Sequence, residues 1–126
     1  MFGGTRTMSE LRKFESGAIR DKQEGKVRYQ GALSPLVLEA YGKYIEKHSL
    51  LPDGTHRDNK NWQKLFGTPE EHRQVCIESA WRHFIDVLKE HDGYNSRDGL
   101  EEALGGLMFN ISAYWFSLLK EEQDKK

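Results

Sequence analysis

Three carboxylates and one imidazole set the first chemical question. Glu78, Arg82 and Asp86 recur every four residues, so on a helix they form one polar stripe. His83 stands one turn before the end of that stripe and could relay a proton beside Asp86. Further on, Glu102, Gly106 and Asn110 share a helix face, with Gly106 leaving space between two polar groups. Carboxylates so placed suit a divalent cation that activates water, with Glu78, Asp86 and Glu102 as its ligands and His83 with Asp86 as the catalytic pair. Plainer readings stand beside this one. The stripe can be an intrahelical salt-bridge ladder, His83 a capped core imidazole, and Asn110 an amide bonded to neighbouring backbone.

A second cluster is cationic. Arg20, Lys26 and Arg28 lie in a glycine-containing stretch with Tyr29 beside them, a composition suited to holding phosphates and stacking a planar ring. Gly25-Lys26 lacks the Ser or Thr that a phosphate loop carries after its lysine, so a solvated basic face is the alternative. Asn61-Trp62 adds an amide and an indole, either a stacking platform or a loop anchor. His91-Asp92 is a lone doublet without the further ligands that a His-Asp metal site requires.

The elements that must position these groups are helical. Ser34-Pro35 reads as a cap followed by proline at the first helical position, opening a helix over 35–48 with Leu36, Ala40, Tyr41, Tyr44 and Ile45 at helical spacing. Leu51-Pro52-Asp53-Gly54-Thr55 is turn chemistry, and Trp62, Leu65 and Phe66 suit a short helical turn before Gly67. Thr68-Pro69-Glu70-Glu71 is a capping box, and the helix it opens has the expected core stripe Ile77, Ala80, Trp81, Phe84, Ile85 and Leu88. A last helix over 99–122, capped by Ser96 or Asp98, is apolar around most of its circumference and needs partners on two sides. Gly105-Gly106 would let a neighbouring backbone approach it closely. Glu121 and Asp124 fall in a solvated charged tail. The expected fold is therefore all-α: a small helical bundle with an irregular N-terminal arm, completed by oligomerisation. Residues 1–14 are expected as a flexible N-terminus, 15–122 as the single domain and 123–126 as a charged tail.

In order along residues 15–119, the pieces Glu15-Ser16-Gly17-Ala18-Ile19-Arg20-Asp21, Gly25-Lys26-Val27-Arg28-Tyr29, Asn61-Trp62, Ala80-Trp81-Arg82-His83 and Asn110 are similar to the dATP/dGTP diphosphohydrolase N-terminal family of phages and prophages, which is MazG-like. The resemblance implies a phage-encoded nucleotide pyrophosphohydrolase that converts purine deoxynucleoside triphosphates to monophosphate and pyrophosphate with Mg2+ or Mn2+. On this resemblance the substrate would be met by Arg20, Lys26, Arg28, Tyr29, Asn61, Trp62, Arg82 and Asn110, with the arm folded over the helices. The chain departs from the family in the enlarged 51–57 loop, in Gln30 where an acidic residue is common, and in lacking the paired acidic motifs on adjacent helices. Those departures keep a second reading open, a non-catalytic phage protein that sequesters a nucleotide.

Length and charge narrow the field. A chain of 126 residues supports one modest core, which makes a site between subunits plausible. Nineteen basic against twenty acidic residues argue against general nucleic-acid binding through phosphate charge. No apolar run reaches the roughly 20 residues of a membrane span, and Met1 to Lys13 has no signal-peptide core behind it. Cys76, the lone cysteine, reads as a packed thiol. The expected location is the cytoplasm, that of the bacterial host for a phage protein, with a purine nucleotide and further copies of the chain as partners.

Overall fold

The computed structural model describes residues 11–13, 15–21 and 25–125, and of Arg12, Arg20 and Asp21 the backbone only. Most of the expected flexible segment 1–14 lies outside the described residues. The chain divides into two compact units, Met1–Ser34 and Pro35–Lys126.

In the first unit the expected irregular arm contains regular pieces. Strands β1 (Leu11–Lys13) and β2 (Ile19–Asp21) pair antiparallel, with Leu11 opposite Asp21 and Lys13 opposite Ile19. Gly17, at φ 90°, makes the reversal between them, and a single helical turn, α1 (Tyr29–Ala32), follows. An apolar period does not find segments this short, because three or four residues hold no period.

The second unit is all-α. Helix α2 (Pro35–Ser49) begins at the expected proline. A 3-10 turn at Asn61–Gln63 stands where a short helical turn was expected. Helix α3 (Pro69–His91) starts on the expected capping box, with Thr68 Oγ accepting from Glu71 N at 3.1 Å and the Glu71 carboxylate accepting from Thr68 N. Gly67 sits just before it at φ 93°, where an added Cβ would meet the Glu71 carboxylate at 3.1 Å. Helix α4 (Leu100–Asp124) is capped differently from the expectation. Gly99, at φ 93°, holds the cap position without a side-chain bond, and Ser96 acts one step earlier by accepting from Gly99 N at 3.1 Å. The helix also runs into the expected tail, whose Glu121 is half-buried: it accepts from Arg73 at 2.8 Å, and Arg73 also reaches Ser117 at 3.1 Å.

Helix α4 runs antiparallel to both α2 and α3, as pairs of contacts show. Arg73 meets Glu121 and His83 meets Gly106 on one side, while Lys47 meets Glu102 and Tyr44 meets Gly105 on the other. The seam with α3 is made of small residues, Cys76 and Ala80 against Ala103, Gly106, Ala113 and Ser117. Gly105 and Gly106 admit side chains of the same chain rather than a neighbouring backbone: a Cβ on Gly105 would overlap the Tyr44 ring, and one on Gly106 the His83 ring. Cys76 is 3% exposed, and burial raises its thiol pKa, as a packed thiol requires.

The expected core stripe of α3 is a correction. Only Ala80 of that stripe is buried; Ile77, Trp81, Phe84, Ile85 and Leu88 are exposed, Trp81 to 62%. At 100° per residue these five lie on one face, and His72, Cys76, Ala80 and Asp86 lie on another that turns inward. Periodicity found the amphipathic stripe but took the bulky side for the inner one. Helix α4 has the same division: Ala103, Gly106, Asn110, Ala113 and Ser117 face inward, while Leu100, Leu104, Ile111, Trp115 and Leu118 are exposed.

Candidate functional site

Around the junction of α2, the 3-10 turn, α3 and α4 lies a cleft of about 490 Å3. Its apolar lining is aromatic: Tyr44 from α2, Trp62 and Phe66 from the segment before α3, and Phe109 from α4, with Ile45 beside them. Its polar lining is His48 and Ser49 at the end of α2, Arg57, Asp58, Asn59 and Asn61 from the connecting segment, Ser79 and His83 from α3, and Asn110 from α4.

Each inner group is placed by an identifiable cause. Trp62 is set by its edge-to-face packing on Phe116, with ring centroids 5.0 Å apart. Behind it, the Phe66 amide donates to His72 Nδ1 at 3.2 Å, and the two rings stack at 5.0 Å, which ties the segment to α3. The His83 ring fills the space that Gly106 leaves open. Burial lowers its pKa, with the Arg97 charge acting in the same direction, so the imidazole is neutral at neutral pH. Among the described residues neither His83 nitrogen has a hydrogen-bond partner, which leaves one donor and one acceptor for a ligand. Asn110, 8% exposed, donates from Nδ2 to the Gly106 carbonyl at 2.8 Å and keeps its side-chain oxygen as an acceptor.

Four residues expected on substrate or in catalysis, Asn61, Trp62, His83 and Asn110, thus meet in one cleft. Arg82 and Glu78 do not join them. Both are exposed on α3, and Glu78 accepts from Gln74 at 3.0 Å. The intrahelical ladder is not formed, because Asp86, 6% exposed, pairs with Arg97, whose Nε and Nη2 reach Oδ2 at 2.9 and 2.6 Å. Glu102 is held by Lys47 at 2.5 Å and His48 at 2.7 Å, and these bonds lower its pKa. Glu78, Asp86 and Glu102 therefore share no partner, and among the described residues no group of three His, Cys, Asp or Glu side chains is placed to hold a metal. The carboxylates present do not fit a divalent ion as one ligand set. Lys26, Arg28 and Tyr29 are exposed in the first unit; the Arg20 side chain lies outside what is described.

Reading the sequence missed Tyr44, His48, Arg57, Phe66 and Phe109. Tyr44 and His48, four apart on one face of α2 with rings 4.3 Å apart, carried a signal in their spacing. Arg57 carried none beyond following a turn.

Comparison of the chain with family models, curated proteins and solved structures gives no match.

Proposed function

We propose that the chain binds a purine nucleotide in the cleft between α2, α3 and α4. The observation that carries this reading is the convergence of Trp62, His83, Asn61 and Asn110, an aromatic face with an unpartnered imidazole and two amides. A purine offers a broad ring to stack and both donors and acceptors on its edge, which matches that lining. The similarity of the motifs to phage diphosphohydrolases supplies the nucleotide class. Binding without turnover is the form the geometry favours, since its carboxylates are committed to ion pairs and hydrogen bonds; hydrolysis to monophosphate and pyrophosphate rests on the resemblance. Titration calorimetry with purine and pyrimidine deoxynucleotides, followed by product analysis with Mg2+ or Mn2+, separates the outcomes. Purine-selective binding with intact nucleotide is expected. Released pyrophosphate would establish the hydrolase instead, and absence of binding to every nucleotide would end the reading.

We also propose that the protein acts as a homo-oligomer. Its helical unit buries no large apolar side chain among the described residues, and its fully covered apolar residues are Cys76 and three alanines. By contrast, the bulky faces of α3 and α4 leave Ile77, Trp81, Phe84, Ile85, Leu104, Ile111 and Trp115 exposed, and an apolar surface of that kind marks an interface. A partner needed for the fold itself must be present whenever the chain is, and another copy meets that condition. No helix among the described residues is long and apolar enough to cross a membrane.

A further inference from the structure

The 51–57 turn is built as a clip with one output. Leu51 N donates to the Thr55 carbonyl at 2.7 Å and Gly54 N to the Leu51 carbonyl at 3.0 Å, with Gly54 at φ 89°. Asp53 Oδ1 accepts from both the amide and the hydroxyl of Thr55, at 3.0 and 2.6 Å. Leu50 and His56 pair across the turn, and Arg57 N donates to the Ser49 carbonyl at 2.8 Å. The backbone of Arg57 is thereby tied to the end of α2. Its side chain is fixed as well, since Nη1 donates to the His48 carbonyl at 2.9 Å.

A guanidinium has five N–H donors in a rigid plane, and this bond engages one of its two ends. The carboxylates of Glu102 and Glu46 have other partners, and Asp58, which also lines the cleft, meets only a backbone amide. Glu102 takes Lys47 and His48, Glu46 meets His56 at 3.4 Å, and Asp58 accepts from Lys60 N at 3.3 Å. Among the described residues Arg57 forms no ion pair, and it is the one lysine or arginine that lines the cleft. A permanent cation held in place beside aromatic rings and engaged in no ion pair among the described residues is suited to an anion.

We propose that Arg57 binds the phosphate of a phosphorylated ligand, so that the anionic end of the ligand lies toward the end of α2 while its ring lies toward Trp62, His83 and Asn110. This rests on the nucleotide reading for the ring, but the anion site stands on its own residues. The cleft then carries its own phosphate cation, independent of the Arg20, Lys26 and Arg28 cluster.

The test uses the full chain and Arg57→Gln, a change at an exposed side chain, with inorganic pyrophosphate, 2′-deoxyguanosine and its 5′-monophosphate as probes. Pyrophosphate is expected to raise the melting temperature of the wild type and not of the variant. The monophosphate should bind the wild type about tenfold more tightly than the nucleoside, a preference that the variant loses while its nucleoside affinity is unchanged. A wild type that pyrophosphate does not stabilise, or a variant that keeps the phosphate preference, overturns the assignment. Should neither the nucleoside nor any nucleotide bind while the Arg57-dependent pyrophosphate effect persists, the nucleotide reading falls and the anion site stands.

Discussion

His72 shows how one residue can set a pH limit. It is 2% exposed, its Nδ1 accepts the Phe66 amide, and burial together with the neighbouring Arg73 charge lowers its pKa below the ordinary 6.5. Protonation would remove that acceptor and place a charge in the interior. Because the folded pKa is the lower one, the unfolded chain takes up the proton first. The stabilisation is then complete above about pH 6.5 and is lost as pH falls through the folded pKa. His83 acts in the same direction, again with burial as the leading cause. Denaturant midpoints should therefore hold level between about pH 7 and 8 and fall below about pH 6.5. His72→Asn, which keeps an acceptor and cannot titrate, should flatten part of that fall; an unchanged acid slope in the variant would place the titration on other groups. Neither role of His72 was legible in the sequence, where it is one more polar residue in the first turn of α3. His83 stood out in the sequence by its place one turn before Asp86, but the glycine opposite that accommodates its ring did not.

At the scale of elements, the approach of α3 to α4 depends on residues that lack a side chain or nearly so. Gly106→Ala would force a Cβ into the His83 ring and is expected to cost about 1–3 kcal/mol while weakening ligand binding. Gly42 provides the contrast: within α2, with open space around it, its change to alanine should stabilise by roughly 0.5–1 kcal/mol. Equal effects of the two substitutions on thermal unfolding would contradict the packing described. The starts of α2 and α3 were legible because their signals, Pro35 and the Thr68–Glu71 box, act through the backbone beside them, whereas the Gly99 cap of α4 was not read. The identity of the inner face was not legible either. An amphipathic period gives the direction of bulk, and on α3 the bulky side of Trp81 and Phe84 is turned away from α4, so the period was right and the facing wrong. The separation of Glu78, Asp86 and Glu102 was equally hidden, since their partners Gln74, Arg97, Lys47 and His48 are fixed by tertiary placement.

For the whole molecule the exposed faces of α3 and α4 carry the prediction of assembly. Light scattering at micromolar concentration should give at least twice the 14.6 kDa of one chain, and Trp81→Glu, placing a charge on that face, should lower the measured mass or unfold the chain. A wild-type monomer at that concentration would refute the homo-oligomer. Helix α4 has a consequence of its own. One side of it meets α3 through Ala103, Gly106 and Ala113, a second lines the cleft through Phe109 and Asn110, and a third carries Leu104, Ile111 and Trp115. With the third side against another copy, as proposed, almost no direction around that helix would be left uncommitted, whereas much of α2 is exposed. Mutational tolerance should therefore differ sharply between two neighbouring helices. Under saturating mutagenesis, substitutions should be rejected around nearly the full circumference of α4, with small residues required on one side and large ones on the other. Along α2 they should be rejected only near Tyr44, Ile45 and His48, which makes α4 the slowest segment of the protein to change.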